Sequence, residues 1–146
     1  MSHDIQLDIV TPSGPLFSKT VDFLSIMGPS GSIGILPGHV PVFMLVDVGF
    51  IEYQEHGERD LVTTMGGILE FHNNHATVLT ESAEVAMEID ELRAKQAAER
   101  AKSRLSEQAG VEAVARANSL AALQRAQTRL RVAEILKHRR NNRRGI

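Results

Sequence analysis

Apolar and polar residues alternate with a period of two through much of the first half of the chain. The alternation in residues 5–10 ends at the turn-forming residues 11–15, where proline and glycine interrupt it. The pattern then returns several times before residue 80, with no helical segment between one instance and the next. A series of short strands in about 85 residues predicts an antiparallel β-sandwich or barrel of about eight to ten strands. The further predicted strands are 21–27, 48–53, 59–65, 68–71 and 76–80, and the last three are divided by the glycine pair 66–67 and the asparagine pair 73–74.

The hydrophobic pattern changes to a helical period near residue 90. Asp90 is placed to cap a helix, because an aspartate side chain accepts hydrogen bonds from the first free backbone N–H groups. Gly110 interrupts this helix, and a second one is predicted from about residue 112 to about residue 138. Two helices with so short a break form an antiparallel hairpin, and its alanine-rich seam buries little apolar area, so the hairpin could open and dock elsewhere. The apolar stripes comprise Ala94, Ala98, Ala101 and Leu105 in the first helix and Leu120, Leu123, Ala126, Leu130, Ala133 and Leu136 in the second.

Charge and composition divide the chain at the same place. Residues 1–90 hold 13 acidic residues against Lys19 and Arg59, a net charge of −11, whereas residues 91–146 hold 14 basic and 5 acidic residues, a net charge of +9. The total of −2 therefore hides an acidic part and a basic part. We predict an α+β chain with an antiparallel β-sandwich in residues 1–86 and a two-helix hairpin with a basic C-terminal tail in residues 87–146.

No segment indicates catalytic chemistry. The absence of cysteine excludes disulfides, thiolate metal sites and a cysteine nucleophile. The glycine-rich residues 28–34 lack the lysine and hydroxyl of a phosphate-binding loop, so we interpret them as a turn between strands. No serine lies in a nucleophile elbow, and the histidines suit exposed turns better than a metal site. We therefore expect no catalytic residue and no bound metal; the histidines considered are His39, His56, His72 and His75.

Contacts with membranes and nucleic acids can also be judged from the sequence. Neither a secretory signal pattern nor an apolar run of about 18 residues is present, so we expect membrane contact only through a partner. The basic residues 137–144 could contact nucleic acid, but the basic half offers no aromatic residue to stack on bases. Two alternatives stay open for these cations: a solvated helix face with a frayed end, or a contact with an acidic protein surface or a nucleotide.

Several motifs in a fixed order resemble one known family. Residues 31–41 read Gly-Ser-Ile-Gly-Ile-Leu-Pro-Gly-His-Val-Pro, residues 66–71 read Gly-Gly-Ile-Leu-Glu-Phe, and residues 74–79 read Asn-His-Ala-Thr-Val-Leu. With Ile89-Asp90 opening an alanine-rich helix, they resemble the epsilon subunits of bacterial F-type ATP synthases, and the likeness runs from residue 10 to residue 134. The Gly-Ile-Leu-Pro-Gly-His-x-Pro block is highly specific for that family. The resemblance implies a β-sandwich of about ten strands followed by a helical hairpin.

The resemblance implies a non-catalytic subunit of the rotating central stalk. In that family the sandwich binds the gamma subunit and the ring of c subunits, which couples ion translocation to ATP synthesis. The complex would hold this chain as a peripheral protein at the cytoplasmic face of the cell membrane, without nucleic acid. The residues that carry the stalk motif are Gly34, Leu36, Pro37, Gly38, His39 and Pro41.

The hairpin of the family either folds against the sandwich or extends along gamma into the catalytic head of alpha and beta subunits. There its basic residues meet an acidic segment of beta and hinder ATP hydrolysis, and the net charge of +9 in residues 91–146 suits such a target. The second predicted helix would reach about 40 Å. The candidate inhibitory residues are Arg116, Arg125, Arg129, Arg131, Lys137, Arg139 and Arg140.

Some members of the family bind ATP through an Ile/Leu-Asp-x-x-Arg-Ala motif, and residues 89–94 match every specified position. The resemblance requires no cofactor, but it implies ATP as a regulatory ligand that holds the hairpin closed. Arginines four apart on a helix face can converge on phosphates. A purely structural interpretation stays open, in which Asp90 caps the helix and Arg93 pairs with Asp90 or Glu84. The residues assigned to ATP by the resemblance are Glu84, Ile89, Asp90, Arg93, Ala94, Arg100, Arg125 and Arg129.

A second class of function also remains open on the sequence alone. It is a free β-sandwich that binds a ligand and contacts nucleic acid through a basic helical arm. Retention of a gamma subunit, as opposed to binding of duplex DNA, separates the two hypotheses. The tail from about residue 137 is an extension that shorter members of the family lack. Two alternatives stay open for it: it is disordered, or it extends the inhibitory contact.

Overall fold

The computed structural model describes residues 4–107 and 113–144, with the side chains of residues 87, 143 and 144 excepted. The chain divides into two compact units that meet between Val85 and Ala86. Within the described residues, the first unit holds eight strands, and the second holds a 3-10 turn and two α-helices. The elements are β1 (Ile5–Thr11), β2 (Gly14–Val21), β3 (Phe23–Gly28), β4 (Gly31–Ile35), β5 (Val42–Glu55), β6 (Glu58–His72), β7 (His75–Thr80), β8 (Ala83–Val85), the 3-10 turn (Ala86–Glu88), α1 (Glu91–Glu107) and α2 (Ala113–Arg144).

One continuous sheet folds over on itself to form the sandwich. Its strand order is β2-β1-β7-β6-β5-β3-β4, with β8 paired to β6, and the β1–β7 pair is parallel whereas the others are antiparallel. Strands β5 and β6 are 14 and 15 residues long and pair along most of their length. One end of this ribbon pairs with β7 and the other with β3, so β5 and β6 belong to both layers. The predicted fold class, a β-sandwich followed by a helical hairpin, is confirmed.

Side chains from both layers fill the interior of the sandwich. Ile5, Leu7 and Ile9 of β1 are fully buried, as their alternation with polar residues predicted. Phe17 of β2 packs edge-to-face against Tyr53 of β5, with ring centroids 5.2 Å apart, although the two strands are not neighbours in the sheet. This contact joins a strand of one layer to a strand of the other. The rest of the buried core comprises Val21, Leu24, Ile26, Ile35, Val46, Ile51, Val62, Leu69, Phe71, Ala76 and Val78.

Two glycines let β6 continue where the sequence predicted a division. Gly66 and Gly67 take φ angles of +85° and +151°, which residues with a side chain rarely adopt. The hydroxyl of Thr80 donates a hydrogen bond to the Gly66 carbonyl at 2.6 Å and so fixes the backbone there. The predicted strands before and after the glycine pair are therefore one strand, and the described residues form eight strands instead of about ten.

The segment 28–34 forms a turn over a shorter stretch than expected. Strand β4 begins at Gly31, which lies opposite Gly28 of β3. Because Gly31 takes a φ of +119°, the chain reverses within two residues and pairs again at once. Most of this glycine-rich segment is therefore strand, and only residues 29–30 lie between β3 and β4.

The second unit is an antiparallel hairpin with small side chains at its seam. Asp90 Oδ1 accepts a hydrogen bond from the Arg93 backbone N–H at 3.1 Å, so the predicted cap of α1 is confirmed. Leu120 is 51% exposed and does not belong to the seam, because it lies about 100° around the helix from the buried Ser119. Helix α2 continues to Arg144 instead of ending near residue 138, while the predicted break at residue 110 lies outside the described residues. The buried seam comprises Ala94, Ala98 and Ala101 of α1 and Ser119, Ala126 and Val132 of α2.

Candidate functional site

The stalk motif forms a fixed loop between two strands. Gly34 lies in β4, and residues 36–41 connect β4 to β5. Gly38 takes a φ of +81° and donates its backbone N–H to Asn74 Oδ1 at 2.7 Å. Asn74 in turn accepts at its carbonyl from the backbone N–H of Gln6 at 2.9 Å. The loop is thus tied to the β6–β7 turn and, through it, to β1.

Aromatic packing also holds this loop. The ring of His39 lies edge-on to the ring of Phe71, with centroids 6.1 Å apart, and its backbone N–H donates to the Leu36 carbonyl. These contacts leave two apolar side chains of the loop in solvent, since Leu36 is 58% and Val40 69% exposed. Of the predicted stalk residues, Gly34, Leu36, Gly38 and Pro41 are exposed, and Pro37 and His39 are half-buried.

An apolar row crosses the outside of the layer formed by β2, β1, β7, β6 and β5. Leu45 lies opposite Ile68, Ile68 opposite Leu79, and Leu79 opposite Val10. Phe43, next to this row on β5, is 73% exposed, while Leu45 and Leu79 are 61% and 50% exposed. We call the solvent side of this layer the outer face; it comprises Gln6, Asp8, Val10, Ser18, Thr20, Phe43, Leu45, Ile68, Glu70, His72, His75, Thr77 and Leu79.

Sequence reasoning missed the outer face. The signal that could have found it is the unbroken apolar run at residues 42–46. A strand with one side in solvent alternates apolar and polar residues, whereas a strand that is apolar on both sides does not alternate. Three large apolar side chains are exposed on the strands and two on the adjoining loop. Such a cluster differs from the single exposed apolar residues that are normal on a protein surface. The outer face and the loop 36–41 together form a candidate protein-binding surface.

A polar cluster occupies the edge of the outer face. Asp8 Oδ1 accepts hydrogen bonds from Ser18 Oγ at 2.5 Å and from Gln6 Nε2 at 3.2 Å, and its Oδ2 lies 2.5 Å from His75 Nε2. The hydrogen bond from Ser18 lowers the pKa of the Asp8 carboxyl, burial opposes it, and the contact with His75 lowers the pKa further. Asp8 is therefore an ionised carboxylate at neutral pH.

The nucleotide motif lies at the start of α1. Ile89 donates its N–H to the Ala86 carbonyl, Asp90 caps the helix, and Ala94 is buried in the seam. The Arg93 guanidinium Nε lies 3.5 Å from Asp90 Oδ2 and its side chain is 87% exposed. Arg93 is therefore within reach of Asp90, and its exposed head is accessible to a ligand.

The other predicted nucleotide residues fall into separate groups. Arg100 is exposed two turns after Arg93, so both lie on one side of α1. Arg125 and Arg129 are half-buried and one turn apart on α2. Glu84 belongs to β8 of the first unit, where its carbonyl accepts from the Thr63 hydroxyl at 3.3 Å.

The end of α2 passes the beginning of α1. Lys95 Nζ lies 2.9 Å from Glu91 Oε1, and this hydrogen bond and charge lower the pKa of the Glu91 carboxyl, with a further contribution from the charge of Lys137. Lys137 therefore lies near the start of α1, and the helical residues after it extend beyond that point. Among the candidate inhibitory residues, Arg116, Arg131, Lys137 and Arg140 are exposed, and Arg125, Arg129 and Arg139 are half-buried.

The described residues contain no group of three or more His, Asp or Glu side chains arranged to hold a metal ion. His75 contacts Asp8 and His39 contacts Phe71, so these histidines have structural neighbours of their own.

Within residues 4–107 and 113–144, no helix has the length and apolar character needed to cross a bilayer.

Comparison with known proteins identifies both units. Residues 4–86 match the family described as the beta-sandwich domain of the ATP synthase Delta/Epsilon chain, and residues 87–134 match its long alpha-helix domain. The last ten residues of α2, 135–144, lie beyond the matched region.

Individual relatives agree over most of the chain. An ATP synthase epsilon chain of Syntrophobacter fumaroxidans is 42% identical over 134 residues, which cover 92% of this chain and 98% of the relative. One of Bacillus velezensis is 37% identical over 129 residues, covering 88% of this chain and 96% of the relative. Among solved structures, a chain of the Euglena gracilis mitochondrial ATP synthase shares the fold, with a TM-score of 0.72, 21% identity and coverage of 88% and 80%. The chain belongs to the ATP synthase delta/epsilon family, which includes these bacterial epsilon chains.

Proposed function

We propose that the chain is a non-catalytic central-stalk subunit that joins the gamma subunit to the c ring and so couples ion translocation to ATP synthesis. The observation that carries this proposal is the exposed apolar row of the outer face, which includes Leu45 and Leu79 and has Phe43 beside it. The sandwich already has its own buried core, so these side chains do not serve its folding. The exposed Leu36 and Val40 continue the apolar surface onto the stalk loop.

Binding of the gamma subunit tests the outer face. Leu45→Glu and Leu79→Glu each place a charge in the apolar row, and we expect at least about a tenfold loss of affinity for gamma. Leu92→Glu is the matched control, because Leu92 is a 65% exposed leucine of α1 and does not belong to the outer face. A wild-type chain that retains duplex DNA at physiological salt but never retains gamma would contradict the proposal.

The hairpin is proposed to inhibit ATP hydrolysis by extending into the catalytic head. Support comes from α2, whose sequence holds nine basic residues and one acidic residue, and from its alanine seam, which buries little apolar area. Deleting residues 91–146 is expected to raise hydrolysis by the assembled complex without preventing assembly. Deleting only residues 135–146 separates the tail from the rest of the hairpin. Unchanged hydrolysis in the longer deletion, with normal assembly, would refute inhibition by the hairpin.

ATP is proposed as a regulatory ligand of the folded hairpin. The exposed Arg93 beside Asp90, together with the pair Arg125 and Arg129, offers the charge-assisted contacts that phosphates prefer. In calorimetry on the intact chain, Arg93→Ala should weaken ATP binding by about tenfold or more. Arg104→Ala is the matched control, since Arg104 is an exposed arginine of α1 outside the motif. Absence of heat with wild-type protein at millimolar ATP would reject the site.

The location of the chain follows from the same proposal. Bound to gamma and the c ring, it would be a peripheral protein on the cytoplasmic side of the cell membrane. Fractionation of membranes tests this. The chain should be found in the membrane fraction together with the complex, and it should be released together with the stalk when the catalytic head and stalk are stripped from the membrane.

A further inference from the structure

The charge of the outer face is set by two carboxylates and two histidines. Asp8 of β1 and Glu70 of β6 supply negative charge, and His72 and His75 lie opposite each other at the β6–β7 turn. Among the described residues of this face there is no lysine or arginine. Lys19 of β2 lies on the other side of its strand, where it pairs with Glu55 at 2.8 Å and lies over the ring of Tyr53.

One carboxylate–histidine contact is placed to respond to pH. His75 Nε2 lies 2.5 Å from Asp8 Oδ2, and a neutral imidazole can donate through Nε2, so the contact forms in either protonation state. The His75 side chain is 51% exposed, so water reaches its ring. Protonation of His75 therefore changes the net charge of the Asp8–His75 pair from −1 to 0 without requiring a new geometry.

The surroundings of His75 contain few other charges. On β1 they are Asp8 and, before the strand begins, Asp4; on β6 they are His72 directly opposite and Glu70 one row further. Strand β2 contributes only the uncharged Ser18 and Thr20, and the turn contributes Asn73 and Asn74. Glu70 and Asp8 both border the apolar row, and of these two carboxylates Asp8 is the one that His75 contacts.

We propose that Asp8 accepts a cationic side chain of the docking partner and that protonation of His75 competes with this contact, so that the partner is released at mildly acidic pH. The partner surface that fits is a lysine or arginine flanked by apolar side chains, since the carboxylate lies beside an apolar row. This inference rests on the proposed docking of the outer face to gamma. It adds the chemistry of one contact and a regulation by proton concentration.

The experiment measures affinity of the full chain for gamma at about pH 6 and about pH 8 in low salt. We expect wild type to bind about three- to tenfold more weakly at the lower pH. In His75→Gln the ratio of the two affinities should fall to about one, whereas His72→Gln, the matched control, should keep most of the pH dependence. Asp8→Asn should bind gamma weakly at both pH values, so that its affinity differs from that of wild type chiefly at about pH 8.

The outcomes separate this inference from the function on which it rests. If wild type fails to bind gamma at either pH, the proposed docking is wrong. If wild type binds gamma equally at both pH values, or if His75→Gln keeps the pH dependence, docking stands and the proton-controlled contact is refuted. Thermal unfolding of each variant at both pH values ensures that only folded protein is compared.

Discussion

Gly67 and Leu79 lie so close across β6 and β7 that a Cβ atom on Gly67 would overlap the Leu79 carbonyl oxygen. Gly67 also takes a φ of +151°, outside the range of residues with a side chain. Two independent constraints therefore require glycine at this point of the ribbon that joins the two layers.

Gly67→Ala should accordingly destabilise the sandwich by about 2–4 kcal/mol, because the obstacle is backbone and the φ angle is strained. Chemical denaturation measures the free energy of unfolding. Gly49→Ala in β5 is the control, since a Cβ there meets no atom within 4 Å, and it should change stability by less than about 1 kcal/mol. Equal effects of the two substitutions would contradict the steric argument.

Regular alternation made β1, β3, β7 and most of β6 predictable, together with the second half of β5. Strands β2, β4 and β8 and the first half of β5 were not predicted. β1 was visible because Ile5, Leu7 and Ile9 point inward and polar residues point outward. The glycine pair 66–67 misled the prediction, because glycine occurs both at turns and where two strands approach closely. Only the three-dimensional position of Leu79 shows that the second case applies here. In the same way, an unbroken apolar run does not reveal that one of its sides is solvent-exposed.

The acid dependence of stability follows from Asp8. Its pKa is lowered in the folded state by Ser18 and, against the effect of burial, by His75. Because the folded-state pKa is below the unfolded one, Asp8 stabilises the fold above the unfolded pKa of about 3.9 and loses this effect as pH falls through the folded value.

Thermal unfolding of wild type and Asp8→Asn should therefore differ most above about pH 4 and converge as the pH falls below it. Asp4→Asn is the comparison variant, because Asp4 is exposed just before the same strand. A difference between wild type and Asp8→Asn that stays constant down to about pH 2 would show that the carboxylate charge is not responsible.

Capping and ligand binding by Asp90 can be separated by substitution. Asp90→Ala removes the acceptor of the Arg93 N–H and should destabilise the hairpin by about 1 kcal/mol, whereas Asp90→Asn keeps an acceptor and should cost little. Helix content and hydrogen exchange of α1 measure the cap, and calorimetry measures ATP. If Asn preserves the helix but lowers ATP affinity, the carboxylate has a role beyond capping; equal affinity with both side chains leaves only the cap.

The alanine seam sets how closely α1 and α2 approach. Ala98→Leu adds volume at a position that is 5% exposed and should destabilise the hairpin by about 1–3 kcal/mol. Ala117→Leu, at an exposed position of α2, is the matched control and should have little effect. Faster hydrogen exchange of α1 in Ala98→Leu alone is the expected observation, and similar exchange in both variants would place the packing elsewhere.

The parallel pairing of β1 with β7 dictates the order of events during synthesis. Gln6 and His75 are register partners although about 70 positions separate them. The first strand to be synthesised therefore cannot complete its pairing until β7 has been synthesised as well. The hairpin, by contrast, joins neighbouring helices and forms from local contacts. On the ribosome, β1 and β2 thus leave the exit tunnel as an unprotected pair, and this pair is where a chaperone or a stray strand would bind first.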